Sequence, residues 1–106
     1  MAVIAIDFDN TLVHGAEAIE GAKKAVNLFR EYGHKVVINS CNELDWIKKT
    51  LDNHDIRYDK IYANGSSKPL ADLYVDDKAY RFAGWDGNEV ERMLSLVNGM
   101  DNRKWS

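Results

Sequence analysis

Asp7 and Asp9 are the residues whose type and spacing most directly suggest chemistry in this sequence. They follow residues 3–6, an apolar run with a β-branched bias that is typical of a strand buried on both faces of a parallel sheet. Because strand side chains alternate, the two carboxylates lean to one side and Phe8 points away. Two carboxylates held together away from water are costly unless a cation lies between them. The stretch therefore predicts a metal site at the carboxyl end of the first strand, where ligands bind in open α/β sheets.

Polar residues also follow two later segments that read as strands. Residues 35–39 form a second apolar, β-branched run, and Ser40, Cys41 and Asn42 come directly after it. Residues 72–75 lead into Asp76 and Asp77, and a turn-rich loop before them contains Lys68. The oxygen-rich set favours Mg²⁺, because hard oxygen ligands suit that ion and the three histidines are scattered. These segments are expected to bring their polar ends to one rim of the sheet.

Helical and strand patterns alternate along the chain. We predict strands at residues 3–6, 35–39, 58–63 and 72–75, helices at residues 19–32, 43–53 and 88–97, and a fraying tail from residue 98. Any fifth strand is confined to residues 80–82. The expected inner residues of the second helix are Leu44, Trp46, Ile47 and Leu51. Strands that alternate with helices form βαβ units, so the expected fold is α/β with a mostly parallel sheet of four to five strands.

Size and composition limit the classes of protein. A chain of 106 residues is expected to form a single domain, 1–106, with one modest core. The net charge of −3 offers no broad basic face to a nucleic acid. Cys41 is the single cysteine, which excludes an intramolecular disulfide, fits a reducing compartment and favours a buried apolar role over thiol catalysis. No run approaches the roughly 20 apolar residues of a membrane span, and no secretion signal is recognised, so we predict a cytoplasmic protein without membrane partners.

The order of these motifs resembles that of the haloacid dehalogenase-like (HAD) hydrolase superfamily. That family has Asp-x-Asp-x-Thr after its first strand, then Ser or Thr, then Lys, then a late acidic pair. The matching residues here are Asp7, Asp9, Thr11, Ser40, Lys68, Asp76 and Asp77. The resemblance implies a three-layer, Rossmann-like, HAD-like fold. It runs from residue 3 to residue 77.

Catalytic roles follow from the resemblance residue by residue. It implies that Asp7 is the nucleophile that becomes an aspartyl phosphate, and that Asp9 is the general acid/base. Family members that act on phosphate esters have the second Asp, whereas those that cleave carbon–halogen bonds lack it. Mg²⁺ is implied to bind Asp7, the main-chain carbonyl of Asp9, Asp76 and Asp77, with one of the acidic pair binding through water. The expected enzyme is a Mg²⁺-dependent phosphoric monoester hydrolase.

The phosphate of the substrate needs donors as well as a metal. Ser40 and Lys68 are the expected phosphate-binding side chains, and Lys68 also offsets the repulsion between the nucleophile and the anion. Main-chain N–H groups around Phe8 and Cys41 are expected to add hydrogen bonds, as successive amides do in anion-binding nests. Asn42 is a further candidate phosphate ligand, although relatives often have a basic or small residue there. Thr11 is expected to support the Asp7 loop through hydrogen bonds.

Larger HAD enzymes carry a cap domain over the substrate, and this chain has no room for one. Residues 12–18 are too few, and residues 43–67 are already assigned to a helix and a strand. Two coverings stay open: a large substrate, or a neighbouring copy in a homo-oligomer. The substrate is a phosphorylated molecule of unassigned identity, either a small molecule or an end phosphate on a nucleic acid or protein. The alternative function is a non-catalytic phosphoryl-binding or regulatory protein with this fold. A response-regulator receiver is rejected, because its acidic pair precedes its lysine.

Overall fold

The computed structural model describes residues 1–64, 69–76, 85 and 87–104, with side chains described as far as residue 98. The elements in chain order are β1 (Val3–Asp7), β2 (Val13–His14), β3 (Glu17–Ala18), α1 (Ala22–Glu31), β4 (Lys35–Asn39), α2 (Leu44–Asn53), β5 (Lys60–Tyr62), β6 (Leu73–Val75) and α3 (Gly87–Lys104). None of the described helices is long and apolar enough to cross a lipid bilayer.

The four longer strands form one parallel sheet in the order β5–β4–β1–β6. The chain builds β1, β4 and β5 outward in one direction and then returns to the other side of β1 for β6. The direction of the crossovers therefore reverses beside β1, and ligands of open α/β sheets bind at the carboxyl ends next to such a reversal. The predicted α/β fold with a mostly parallel sheet is confirmed. The fifth strand predicted at residues 80–82 lies outside the described residues.

One face of the sheet carries the main hydrophobic core. Side chains at positions 4 and 6 of β1, 36 and 38 of β4, and 73 and 75 of β6 belong to one buried cluster. The same cluster takes in positions 22, 25, 26 and 29 of α1, 47 and 51 of α2, and 90, 93, 94 and 97 of α3. These helix positions recur at intervals of three and four, the spacing that places apolar side chains on one helical face. The three helices thus anchor the strands whose ends carry the polar residues.

The opposite face of the sheet is covered differently. Ala5 and Val37 are buried there, outside the main cluster. Pro69, from the connection between β5 and β6, lines a small surface pocket on this side together with Val37 and Tyr62. Tyr74 fixes that connection, because its hydroxyl donates to the Pro69 carbonyl oxygen at 2.6 Å. The described residues that cover this face therefore belong to an irregular segment, which is hydrogen-bonded to the sheet through Tyr74.

Two helix boundaries differ from the sequence prediction. α1 begins at Ala22 rather than residue 19, because a short antiparallel hairpin occupies the preceding residues and pairs Val13 with Ala18. The hairpin ends with a hydrogen bond from the Ile19 N–H to the Leu12 carbonyl oxygen at 2.9 Å. Gly21, with φ at 86°, then turns the chain into α1. α3 continues to Lys104, seven residues beyond the predicted end at residue 97.

The inner face of α2 was predicted only in part. Ile47 and Leu51 are fully buried, as expected. Trp46 is 41% exposed and Leu44 is 37% exposed, so their assignment to the core was wrong. Trp46 lies about 100° around the helix axis from Ile47, so its side chain is outside the buried face. Leu44 shares the face of Ile47, but it occupies the first position of the helix and is less covered.

Candidate active site

Two predicted metal ligands lie side by side at the carboxyl edge of the sheet. Asp7 is the last residue of β1, and Asp76 directly follows β6. The parallel register pairs Ile6 with Val75, so the next residue on each strand, Asp7 and Asp76, occupies the neighbouring position. Both residues are half-buried. The sheet therefore brings together two carboxylates that are 69 positions apart in the sequence.

Asp9 lies in a tight turn that reverses the chain after β1. The Phe8 carbonyl accepts hydrogen bonds from the N–H groups of Leu12 at 3.1 Å and Val13 at 3.2 Å, and the Asn10 N–H donates to the Val13 carbonyl at 2.8 Å. Asn10 adopts a left-handed conformation with φ at 64°, which asparagine tolerates better than most residues. Phe8 itself is fully buried, as the strand alternation predicts. The turn thus anchors its apolar residue in the core and keeps Asp9 half-buried at the edge.

A hydrogen-bond network joins the turn after β1 to the turn after β4. The Asn42 side-chain Nδ2 donates to Asp9 Oδ2 at 2.6 Å, and the Asn42 main-chain N–H donates to Ser40 Oγ at 3.0 Å. Ser40 is buried, and its own N–H donates to the Tyr62 carbonyl at 3.0 Å, which extends the sheet pairing to β5. The Ser40 hydroxyl can also donate its own hydrogen, since a serine hydroxyl both accepts and donates. Ser40, Asn42 and Asp9 are thus contiguous, as the shared rim predicts.

Thr11 is the residue whose expected hydrogen bond is not found. It is fully buried, and its Oγ1 has no hydrogen-bond partner within the described part of the chain. The Thr11 main chain is instead the anchored group, because Trp85 Nε1 donates to the Thr11 carbonyl oxygen at 2.7 Å. This hydrogen bond joins residues 74 positions apart in the sequence, and no local sequence pattern predicts it.

Trp85 is held in place by two further contacts. Its ring meets Phe29 of α1 edge-on, with centroids 6.1 Å apart and an interplanar angle of 66°. Its backbone passes Gly21 so closely that a Cβ on Gly21 would lie 2.7 Å from the Trp85 carbonyl oxygen. Trp85 therefore links the turn after β1 to α1, through its hydrogen bond to Thr11 and its contacts with Phe29 and Gly21.

Cys41 lies between Ser40 and Asn42 and is exposed, so the prediction of a buried apolar role was wrong. The strand alternation explains this, because Ser40 continues the buried positions 36 and 38 and the next residue faces away. The predicted donors of phosphate hydrogen bonds at Phe8 and Cys41 are main-chain groups. They lie at the ends of neighbouring strands β1 and β4.

Lys68 and Asp77 lie outside the described residues. Among the described residues no group of three Asp, Glu, His or Cys side chains surrounds a single point. The donor set that is described, two neighbouring carboxylates on Asp7 and Asp76, nevertheless fits Mg²⁺. That ion binds to proteins through one or two carboxylates and retains several waters.

Comparisons with known proteins agree with this architecture. Residues 4–83 match the sequence model of the haloacid dehalogenase-like hydrolases. A conserved protein from Bacteroides thetaiotaomicron superposes with a TM-score of 0.69 at 19% identity, over 89% of this chain and 90% of that chain. A protein from Vibrio cholerae known from a crystal structure gives a TM-score of 0.58 at 20% identity, over 90% of this chain and 98% of that chain. At these identities the structural likeness shows the fold alone. No curated protein matches the sequence significantly.

Proposed function

Because this chain belongs to the haloacid dehalogenase-like hydrolase family, we propose that it hydrolyses a phosphate monoester through an aspartyl phosphate on Asp7. The observation that carries the proposal is the arrangement of Asp7 and Asp9 at the reversal point of the sheet, with Asp76 beside Asp7. A second aspartate two residues after the nucleophile supplies the proton donor that departure of an alkoxide requires. Hydrolysis is the activity that the family supports, and the phosphate monoester is our assignment.

The reaction divides into two displacements at phosphorus. An oxygen of the Asp7 carboxylate bonds to phosphorus while the bond from phosphorus to the ester oxygen breaks, and Asp9 protonates the departing oxygen. Asp9, now a carboxylate, then removes a proton from water as the water oxygen attacks phosphorus. The bond between phosphorus and Asp7 breaks, which releases inorganic phosphate and restores both carboxyl groups. No redox partner or additional reactant is needed.

Charge is the main barrier in this scheme, since an anionic carboxylate must approach an anionic phosphate. Asp7, the Asp9 main-chain carbonyl and Asp76 are the described groups that we propose to hold Mg²⁺, with Asp77 as the remaining candidate. Mg²⁺ bound there would offset the negative charge of the carboxylates and of the phosphate. We assign Ser40 and Lys68 to the phosphate oxygens. Ser40 is buried, and its Oγ accepts from the Asn42 N–H at 3.0 Å, which fixes the position of that oxygen.

What covers the site limits the size of the substrate that it can take. The segment after the catalytic turn, where a cap domain could be inserted, is a two-stranded hairpin of β2 and β3. A site without a lid excludes water poorly unless its substrate or a neighbouring copy covers it. We therefore keep both arrangements within the proposal: a bulky phosphorylated substrate, or a homo-oligomer acting on a smaller one.

The test is hydrolysis of an aryl phosphate and an alkyl phosphate with and without Mg²⁺. The variants are Asp7→Asn and Asp9→Asn, and Asp52→Asn is the matched control, because Asp52 is an exposed acid near the far end of α2. We expect Mg²⁺-dependent turnover that Asp7→Asn abolishes. Asp9→Asn should lower it by a factor of about 10²–10⁴, the usual contribution of a positioned general acid/base. Asp52→Asn should leave turnover unchanged.

Two results would contradict the proposal. Full activity in Asp7→Asn excludes an aspartyl phosphate on that residue. If the folded wild type hydrolyses neither substrate at any Mg²⁺ concentration but binds inorganic phosphate, the protein is instead the non-catalytic phosphoryl-binding alternative. Isothermal titration with phosphate, in the wild type and in Ser40→Ala, measures that binding.

A further inference from the structure

Asn42 makes three hydrogen bonds to three separate segments of the chain. Its side chain donates to Asp9 in the turn after β1, and its main-chain N–H donates to Ser40 at the end of β4. Its carbonyl oxygen accepts from the Asn64 N–H at 3.0 Å, just after β5. Both main-chain polar groups of Asn42, its N–H and its carbonyl oxygen, are therefore hydrogen-bonded. The position of its backbone is fixed, and only the two side-chain torsions remain to be set by the bond to Asp9.

The bond to Asp9 is the one that concerns chemistry. The distance between Nδ2 and Oδ2 is 2.6 Å, which is short for a hydrogen bond from an N–H group. An amide nitrogen only donates hydrogen bonds, so Asp9 Oδ2 is the acceptor, and Oδ1 is the oxygen that can carry the proton of a general acid. One oxygen of Asp9 is therefore occupied by Asn42, and the other is left to face the leaving oxygen of a substrate.

We propose that Asn42 is a positioning residue that fixes the orientation of the Asp9 carboxylate for proton transfer. This inference rests on the proposed function. The terminal torsion of an aspartate is broad, so an unrestrained carboxylate samples many orientations. A general acid must lie about 2.6–3.2 Å from the oxygen it protonates, and small misplacements cost large factors in rate. By holding Oδ2, Asn42 keeps Oδ1 directed at one point.

This role differs from the sequence-based expectation that Asn42 binds the phosphate. A phosphate ligand contributes to every phosphate monoester alike. A residue that positions the general acid raises the rate of leaving-group departure most for the leaving groups that most need a proton. Nitrophenolate departs without one, whereas a primary alkoxide is strongly basic and requires it. The two roles therefore predict different dependence on the leaving group.

The experiment compares p-nitrophenyl phosphate and a primary alkyl phosphate with Mg²⁺ present. For Asn42→Ala we expect kcat on the alkyl ester to fall by about 10- to 100-fold, within the usual contribution of a general acid, with KM changed less than about threefold. The first-turnover release of nitrophenol should change by less than about threefold, because that step does not need the proton.

Two further variants sharpen the comparison. Asn42→Asp keeps the shape of the side chain but replaces the donor with an acceptor that repels Asp9, so it should reproduce the loss on the alkyl ester. It also carries the test if Asn42→Ala fails to fold. Asn53→Ala is the matched control at an exposed asparagine on α2 and should change neither rate. In an Asp9→Asn background, Asn42→Ala should cause no further loss, since residues acting through one another are non-additive.

The outcomes separate this inference from the proposed function. If the wild type is active but Asn42→Ala raises KM equally for both esters, Asn42 binds phosphate and the positioning role is wrong. Equal loss in the first-turnover release of nitrophenol and of the alkyl alcohol, or full additivity with Asp9→Asn, also overturns it while the phosphatase assignment stands. If the folded wild type hydrolyses neither ester, the proposed function fails and this inference fails with it.

Discussion

Gly21→Ala tests the close approach between the start of α1 and Trp85. The residue has φ at 86°, and an added Cβ would lie 2.7 Å from the Trp85 carbonyl oxygen and 2.9 Å from the Trp85 Cβ. Two costs therefore combine. A left-handed conformation costs an L-residue about 1–2 kcal/mol, of which the stiffer unfolded chain returns about 0.4–1 kcal/mol. Forcing a methyl group against packed backbone costs a further 1–3 kcal/mol or so.

Gly33→Ala is a close control, because it isolates the first of these costs. Gly33 has φ at 84°, and a Cβ there would meet no atom within 4 Å. It ends α1, with its N–H donating to the Arg30 carbonyl at 3.0 Å. The difference in the free energy of unfolding between the two variants should therefore measure the contact with Trp85, and we expect about 1–3 kcal/mol.

Urea denaturation of both variants and the wild type, followed by circular dichroism, provides the measurement. With an m value near 2 kcal/mol per M, a difference of about 2 kcal/mol places the midpoint of Gly21→Ala about 1 M below that of Gly33→Ala. A domain of this kind has roughly 5–15 kcal/mol of stability in total, so both variants should remain measurable. Equal midpoints for the two variants would refute the close packing of Trp85 against Gly21.

Two further predictions concern the packing that holds the site. Trp85→Phe keeps an aromatic ring against Phe29 but removes the donor to the Thr11 carbonyl, and should lower the free energy of unfolding by about 1–3 kcal/mol in urea denaturation; an unchanged midpoint would show that the bond contributes nothing. Ile47→Ala should cost about 2–5 kcal/mol because Ile47 is fully buried, and Trp46→Ala should cost clearly less in the same assay. The reverse order would mean that Trp46, not Ile47, lies in the core.

Local sequence patterns were sufficient to predict the four strands of the parallel sheet and the presence of the three helices. The runs at residues 35–39 and 72–75 are apolar and β-branched, and the structure has β4 and β6 there, within one residue at each end. A run of this kind can bury both faces in a parallel sheet, so its identity depends little on its neighbours. The buried positions of α1, at 22, 25, 26 and 29, recur at the helical spacing of three and four residues, so the local sequence indicates which face is buried.

Boundaries and exposures were less predictable, because they depend on contacts between distant segments. The start of α1 at Ala22 is set by the hairpin and by the Ile19–Leu12 hydrogen bond, neither of which leaves a strong local pattern. The exposure of Trp46 follows from where α2 meets the sheet. Hydrophobic residue type alone favoured the interior for that residue, and packing geometry decided otherwise.

The sequence by itself determined which carboxylates follow β1 and β6, because strand ends and polar turn residues are encoded within a few positions of each other. The neighbouring positions of Asp7 and Asp76 required the strand order, which places β6 beside β1. The bond from Asn42 to Asp9 required the tertiary structure as well. A polar side chain near a sheet edge has several partners within reach, and only the packed positions of the turns select one. Residue types thus supplied the chemistry, and long-range packing decided which groups act together.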